Sequence, residues 1–285
     1  MTPRVSPESK RRLRERLTSG RCRAVARVGV TVAIAVELAA IRALGAFRKR
    51  PDEISGEALT IIVKTFERPR ELRRLVRSIR RLHSSVKIIV ADDSRQPSRI
   101  AGVEVVRLPF NSGVSAGRSA ALERVDTEYF LTLDDDFVLT KHSDLASPLE
   151  LMKSTPELDI VGGVIVNLPD FATTDYSTAG LFPTSRLPLR EAGTLVSGLP
   201  VRLKVPNFFI GRTSTVRRVS WTDELKFVEH LDFFTRACGE LLVVQDERMI
   251  ALHAKNPFDR DWEERRTNVE SSWRVLNQRY GASTT

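Results

Sequence analysis

Residues Tyr129 to Leu139 read YFLTLDDDFVL, an apolar run that climbs into three consecutive aspartates. An unbroken apolar run of this kind is typical of a β-strand that is buried on both faces. Alternate residues of a strand point to the same side, so the pattern predicts that Asp134 and Asp136 share a face while Asp135 points away. Two converging carboxylates are costly unless a proton or a cation lies between them, and Mg²⁺ or Mn²⁺ would relieve that repulsion.

Apolar runs and helical patterns alternate along the chain before this stretch. The predicted strands are Leu59–Val63, Val86–Ala91, Val103–Leu108 and Tyr129–Leu133, and the predicted helices are Pro69–Leu82 and Ser115–Val125. Such an alternation indicates a largely parallel sheet covered by helices on both faces, with ligands bound beyond the carboxyl ends of the strands. Residues 168–200 are rich in Pro, Gly, Ser and Thr, and they are expected to form a long irregular loop that contacts a ligand.

The segment from Val25 to Phe47 is apolar and long enough to cross a bilayer, but it contains Arg27, Glu37 and Arg42. On a helix these three charges fall within an arc of about 140°. We therefore expect an amphipathic helix with a wide apolar face and a narrow charged stripe. A cationic helix of this kind can lie on an anionic membrane surface, and the alternative is a helix packed on the body of the protein or on a partner.

The net charge of +9 is concentrated near the start of the chain. The first 50 residues contain 13 Lys and Arg against three Glu, so the remainder is close to neutral. A near-neutral body argues against nucleic acid as a partner. The two cysteines, Cys22 and Cys238, do not form a disulfide framework, which favours a cytoplasmic protein. With the cationic helix of the leader, the expected location is the inner face of a membrane, where the protein would be peripheral.

Six motifs follow one another in a fixed order along the chain. They are TIIVKTFERPRELRRLVRSIR, KIIVADDS, AGR (residues 116–118), LDDDF, DIVGG and NFFIGR. Together they resemble the GT-A glycosyltransferases of the family 2 type, above all the β-1,4-N-acetylgalactosaminyltransferase group and its bacterial relatives. The resemblance covers about residues 58–255 and implies an α/β fold whose mostly parallel, Rossmann-like central sheet is flanked by helices. It divides the chain into a basic amphipathic helical leader (1–50), a linker (51–58), a GT-A domain (59–256) and a C-terminal helical tail (257–285).

The resemblance also implies an activity and a set of site residues. It implies an inverting enzyme, dependent on Mn²⁺ or Mg²⁺, that moves a sugar from a UDP-sugar to a hydroxyl of a glycan or lipid-linked acceptor. UDP-GalNAc and UDP-GlcNAc are the leading donors, and UDP-Gal and UDP-Glc remain open. The implied nucleotide-sugar contacts are Thr65, Phe66, Arg68, Asp92, Asp93, Gly117, Arg118, Asp134, Asp135 and Asn207. The implied metal ligands are Asp134, Asp136 and His253.

Glycosyl transfer with inversion needs a base that takes the proton of the acceptor hydroxyl. Candidates lie in VEHLDFFTR, residues 228–236, where Glu229 and Asp232 share a face if the segment is helical. Asp232 matches the acidic residue of the enzymes that this chain resembles and is the preferred base. Glu229 is the close alternative, and His230 is expected to contact the sugar or the acceptor.

Two other functions compete with glycosyl transfer. A nucleotidyltransferase of related architecture would carry a Gly-rich phosphate loop with a following Lys after the first strand, but the loop here, KTFERPREL, has no Gly. A non-catalytic protein that binds nucleotide-sugars on the same fold is the second alternative. The intact carboxylates Asp134, Asp136 and Asp232 disfavour it.

Overall fold

The computed structural model of the protein describes residues 20–47, 49, 51–256, 258 and 269–281. Most of the basic residues that precede the helix of the leader lie outside the described residues, among them Arg11, Arg12, Arg14 and Arg16, as do Arg48, Arg50 and most of 257–268. Within the described residues the helices are α1 (Gly20–Leu44, with a short 3-10 turn at Gly45–Phe47), α2 (Pro69–Leu82), α3 (Val114–Glu123), α4 (Ala146–Ser154), α5 (Thr213–Val219), α6 (Glu229–Ala237) and α7 (Val269–Tyr280).

A mixed sheet of eight strands forms the centre of the fold. Its members are β1 (Leu59–Thr65), β2 (Lys87–Asp92), β3 (Glu104–Arg107), β4 (Tyr129–Asp134), β5 (Phe137–Val138), β6 (Ile160–Asn167), β9 (Phe209–Arg212) and β10 (Val243–His253). The spatial order is β3-β2-β1-β4-β9-β6-β10-β5. Only β9 and β5 run against the other six strands, so the prediction of a mostly parallel sheet is confirmed. Two short strands, β7 (Leu195–Val196) and β8 (Leu199–Pro200), form a separate hairpin in the otherwise irregular region 168–200.

The sheet is covered on both faces, as its unbroken apolar strands predict. In β1, Ile61 and Val63 pack into one apolar cluster while Ile62 packs into the cluster on the other face. Each such side chain contributes about 1.5–3 kcal/mol by leaving water. Helix α2 begins at Pro69, which a first turn tolerates because its N–H would have no helical partner there, and it buries its apolar side against the first cluster.

Strand register brings the polar strand ends together. Lys64 of β1 pairs with Asp134 of β4, and Thr65 pairs with Asp92 of β2. On the far side of the sheet, His253 of β10 pairs with Asn167 of β6. The residues that end these parallel strands therefore lie along one edge of the sheet.

The prediction of a helix in the apolar segment from Val25 to Phe47 is confirmed by α1. This helix packs against the rest of the domain. Ile34 and Leu38 are buried against the far edge of the sheet, in a cluster with Val138, Leu168, Leu252 and Ala254. At about 100° per residue, the charged arc of the helix lies on this same docked side. By length and composition alone, the segment Cys22–Leu44 could cross a membrane.

Candidate active site

A cavity of about 410 Å³ lies at the carboxyl ends of the parallel strands. Its acidic lining residues are Asp93, Asp134, Asp135, Asp136 and Glu229, and its basic ones are Lys64, Arg68, Arg118, Lys226 and Lys255. Acidic and basic side chains thus line the same cavity. Of the residues implied by the resemblance, Thr65, Phe66, Asn207 and His253 also line it, whereas Asp92, Gly117, His230 and Asp232 do not.

The three consecutive aspartates all face this cavity, so the prediction that Asp135 points away is wrong. Strand β4 ends at Asp134, and the next two residues form a turn, where the alternation of a strand no longer holds. Asp135 accepts hydrogen bonds from Thr65 Oγ1 at 2.7 Å and from Arg68 at 2.8 Å. Arg68 also donates to Asp136 at 3.0 Å, so Asp135 and Asp136 share one guanidinium while Asp134 has another.

That second guanidinium belongs to Arg118, which is buried in the floor of the cavity. Its two terminal nitrogens donate to Asp134 and to Glu229, each at 2.6 Å. With its amide oxygen turned toward Arg118, Asn207 accepts from the same two nitrogens at 3.1 and 3.3 Å. Burial alone would lower the pKa of Arg118, but the two carboxylates outweigh burial and raise it. Arg118 is therefore a fixed positive charge that orients both acidic side chains.

Lys64, which no sequence motif marked as a site residue, forms a buried ion pair with Asp93 that joins β1 to the loop after β2. Lys64 Nζ lies 2.5 Å from Asp93 Oδ1, and the other oxygen of Asp93 accepts the backbone N–H of Gly113 at 3.0 Å. Asp92, by contrast, is buried and accepts the backbone N–H groups of Ser94 and Ser98. Of the acidic pair implied to read the nucleotide, only Asp93 thus faces the cavity.

Gly117 is required by the path of Lys64. A Cβ placed on Gly117 would lie 2.1 Å from Cδ of Lys64, so Gly117→Ala would push that buried side chain away from Asp93. We expect Gly117→Ala to lower the free energy of unfolding by about 2–4 kcal/mol, because a buried charge loses its partner. Urea denaturation measures this. The matched control is Gly29→Ala in α1, where an added Cβ meets nothing within 4 Å. In that variant the free energy of unfolding should rise or stay the same. Equal effects of the two substitutions would contradict the packing argument.

Asp136 and His253 form the part of the site best suited to a divalent cation. His253 Nε2 lies 3.3 Å from Asp136 Oδ2, and His253 Nδ1 lies 2.8 Å from Asn167 Oδ1, which orients the ring. Burial opposes ionisation of Asp136, yet His253 and Arg68 hold its pKa below the usual range. Within the described residues, no three His, Cys, Asp or Glu side chains converge as a complete metal cage. A carboxylate–imidazole pair nevertheless fits Mg²⁺ or Mn²⁺, because these ions commonly complete their shell with substrate phosphates and water.

Helix α6 carries the predicted base segment, and its first residue points into the cavity. The residue before it, Val228, has φ of 61°, a left-handed conformation that a β-branched residue rarely adopts. This turn brings Glu229 to Arg118. His230 instead lies beneath the cavity wall, where its Nε2 meets the carbonyl of Val205 at 2.5 Å, and burial lowers its pKa to about 3. His230 is thus neutral and does not line the cavity, and its predicted contact with the sugar or the acceptor stays a prediction.

Asp232 also lies away from the cavity, which does not support its predicted role as the base. Its carboxylate is fully buried and accepts hydrogen bonds from Thr222 (2.8 Å), Arg236 (2.9 Å), Arg279 (2.7 Å) and Tyr280 (2.8 Å). Burial would raise the pKa of Asp232, but Arg236 and its other partners lower it. A carboxylate with every lone pair engaged cannot accept the proton of an acceptor hydroxyl. Asp232 instead ties α6 to α7.

We therefore expect Asp232→Asn to act on stability rather than on the chemical step. The loss of charge leaves Arg236 and Arg279 without their shared anionic partner. The free energy of unfolding should fall by about 1–3 kcal/mol, because both guanidinium groups keep some contact with water. The measurement is kcat and KM normalised to the folded fraction, alongside urea denaturation. Asp223→Asn, at an exposed neighbouring position, is the control. A variant that stays fully folded but transfers no sugar would restore Asp232 as the base.

Comparison with known proteins places this architecture in a family. The family model described as glycosyl transferase family 2 matches residues 60–219. Human beta-1,4 N-acetylgalactosaminyltransferase 1 is 37% identical over 207 residues, which are 69% of this chain and 39% of the human protein. Mouse beta-1,4 N-acetylgalactosaminyltransferase 2 is 35% identical over 197 residues, or 68% of this chain and 38% of the mouse protein.

Among solved structures, S. aureus TarS 1-349 in complex with UDP-GlcNAc shares the fold with a TM-score of 0.51. It is 16% identical, and the match covers 79% of this chain and 73% of that one. The present chain spans about two fifths of the length of the two N-acetylgalactosaminyltransferases. Because the family model covers more than half of the sequence, the protein belongs to glycosyl transferase family 2 and has the GT-A fold.

Proposed function

We propose that the protein transfers an N-acetylhexosamine from a UDP-sugar to a hydroxyl acceptor, with inversion at the sugar carbon. One observation carries this proposal: a single cavity at the strand ends collects Asp134, Asp135 and Asp136 with His253 and with fixed cations. The names of the human and mouse relatives support N-acetylgalactosamine as the sugar. The UDP-GlcNAc bound to TarS supports a UDP-linked donor in this fold.

The donor would lie across the strand ends, with its nucleoside toward β1 and β2. Phe66 lines this part of the cavity and packs against Phe110 at 5.4 Å between ring centroids, which offers an aromatic surface to a uracil ring. Lys226 and Lys255 supply positive charge for the diphosphate, and Lys226 Nζ is held by the carbonyl of Asn111 at 2.7 Å. These cations would stabilise the charge that develops on the leaving UDP.

We propose that Asp136 and His253 hold a Mn²⁺ or Mg²⁺ ion, with Asp134 at the same cavity wall. When bound, the ion would neutralise the negative charge of the departing diphosphate as a Lewis acid. Arg68 bridges Asp135 and Asp136, so its positive charge offsets the repulsion between the two carboxylates, and it helps to hold the pKa of Asp136 below the usual range. The chain itself thus maintains deprotonated oxygens on Asp136, which a hard cation requires.

Glu229 is our proposed base. Of Glu229, His230 and Asp232, only Glu229 lines the cavity. In the transfer step the acceptor oxygen forms a bond to the sugar carbon, the bond from that carbon to the diphosphate oxygen breaks, and the proton moves to the Glu229 carboxylate. Arg118 orients Glu229 through one oxygen and leaves the second able to accept that proton.

The acceptor would be a glycan or a lipid-linked hydroxyl compound. No residue of the described region 168–200 lines the cavity, so the contact of this region with a ligand stays a prediction. Helix α1 supports a location at a membrane, where such a lipid-linked acceptor would be met.

A screen of UDP-sugars tests the proposed function. With Mn²⁺ present, UDP-GalNAc or UDP-GlcNAc should raise the melting temperature and release UDP in the presence of an acceptor extract. Omission of the metal should remove both effects. Stabilisation by a nucleoside triphosphate alone, with pyrophosphate released, would instead indicate nucleotidyl transfer.

A further inference from the structure

Helix α1 has a second apolar face, opposite the one that packs on the domain. Val25, Val28, Val32 and Val36 recur at helical spacing, and their side chains are 73%, 58%, 55% and 60% exposed. They lie on the side of the helix away from Ile34, at about 100° per residue. A row of exposed valines is unfavourable in water, so this outer face of α1 would be more stable in contact with an apolar environment.

The inner face is held to the domain along most of its length. Asn256 Nδ2 donates to the backbone carbonyl of Arg27 and to Thr31 Oγ1, each at 2.8 Å. At the other end, Lys141 Nζ donates to the carbonyl of Ala46 at 3.1 Å. A helix that crossed a bilayer would have to abandon these bonds and carry Arg27 and Glu37 through the hydrocarbon, which is costly.

A groove of about 370 Å³ lies between α1 and α2. Its floor is apolar, formed by Leu38, Ile41, Val138 and Leu139, and cationic side chains surround it. The basic residues are Arg42, Arg81 and Lys141. Arg81 is the last of four exposed arginines on one side of α2, the others being Arg70, Arg73 and Arg77. Among the described residues, Arg42 and Arg81 form no ion pair.

We infer that α1 lies in the plane of an anionic phospholipid membrane, with its valine row in the acyl region and the α1–α2 groove holding one anionic lipid. An apolar floor with a cationic rim is complementary to an acyl chain joined to a phosphate headgroup. A second copy of the chain fits less well, because it would bring the same arginines face to face. The inference refines the proposed membrane location and does not depend on sugar transfer.

Depth measurements on labelled full-length protein test the orientation. In a Cys22→Ser, Cys238→Ala background, an environment-sensitive fluorophore is placed at Val25→Cys or at Val36→Cys, and the protein is mixed with vesicles containing phosphatidylglycerol. We expect both labels to shift to the blue and to show equal depth by lipid-borne quenchers. The two positions are eleven residues apart, so a spanning helix would separate them by about 16 Å in depth and overturn the in-plane orientation. No shift at either site would overturn membrane binding altogether, whatever the result of the UDP-sugar screen.

Charge substitutions test the groove. We expect Arg42→Gln/Arg81→Gln to weaken co-sedimentation with phosphatidylglycerol vesicles roughly tenfold, and to leave weak binding to neutral phosphatidylcholine vesicles unchanged. Arg107→Gln/Arg218→Gln removes the same net charge at exposed positions elsewhere and should have a much smaller effect. Equal losses from the two pairs would show a general attraction of a cationic protein and would overturn the lipid site.

Discussion

Replacing Asp136 by Asn is expected to reduce sugar transfer by roughly a thousandfold, with an accompanying loss of metal-dependent UDP binding. The carboxylate lies 3.3 Å from His253 Nε2, and Asn keeps its volume while removing its charge. A neutral amide oxygen is a poor ligand for a hard divalent cation. In the Asp136→Asn variant, the introduced amide and His253 together would therefore bind Mn²⁺ much more weakly than Asp136 and His253 do. Without the ion, the leaving diphosphate keeps its negative charge and the barrier rises by several kcal/mol.

Calorimetric titration of UDP with and without Mn²⁺ measures the binding part of this prediction. The wild-type protein should bind more tightly with the metal, and Asp136→Asn should show one affinity under both conditions. Asp223→Asn is the matched control, since it makes the same change at an exposed position outside the cavity. An Asp136→Asn protein that retained the metal effect would move the metal site elsewhere.

Much of the fold could be predicted because the residues that favour each helix or strand locally are also spaced to pack into the core. The predicted helix Pro69–Leu82 matches the observed one residue for residue, since a proline opens it and its apolar spacing continues to the last turn. The strands β1 and β4 extend one or two residues beyond their predicted ends, into the polar residues Lys64, Thr65 and Asp134. Apolar content predicts where a strand is buried, but the ladder of hydrogen bonds continues into the site.

The position of Asp232 away from the cavity depends on contacts between distant parts of the chain, which the sequence pattern does not show. The hydrogen-bond partners of the buried Asp232 carboxylate include Arg279 and Tyr280, which lie 47 and 48 residues further along the chain, and no local sequence pattern predicts them. Arg118 likewise meets Glu229 across 111 residues. A motif can indicate which carboxylates belong to a site, whereas only the packing of α6 against its neighbours decides which one reaches the cavity.

The position of the charged arc of α1 likewise depends on a long-range contact that the sequence does not predict. Arg27, Glu37 and Arg42 could be predicted to share one side of the helix, but the sequence does not indicate which side meets the domain. The hydrogen bonds from Asn256, which is far along the chain, fix the side of α1 that meets the domain. The exposed apolar row that results is the basis for the membrane orientation proposed above.

Glu229→Gln is expected to lower kcat by about a hundredfold to ten-thousandfold while donor affinity changes little. Gln retains an oxygen that can accept the hydrogen bond of Arg118, so the orientation of the side chain and the packing of α6 should persist. What it loses is the capacity to take a proton from the acceptor hydroxyl. The measurements are initial rates at saturating donor and acceptor, together with the Kd for UDP in the presence of Mn²⁺.

The split between kcat and KM separates a base from a residue that merely orients the substrate. If Glu229 takes the proton, Glu229→Gln should lower kcat and leave the KM for the acceptor nearly unchanged, because the lost interaction is made only in the transition state. Glu224→Gln, five residues earlier and exposed, should leave both constants unchanged. A Glu229→Gln enzyme with a normal kcat would exclude Glu229 as the base. Because His230 and Asp232 do not line the cavity, the next candidates would be the other carboxylates that do, which are Asp93, Asp134, Asp135 and Asp136.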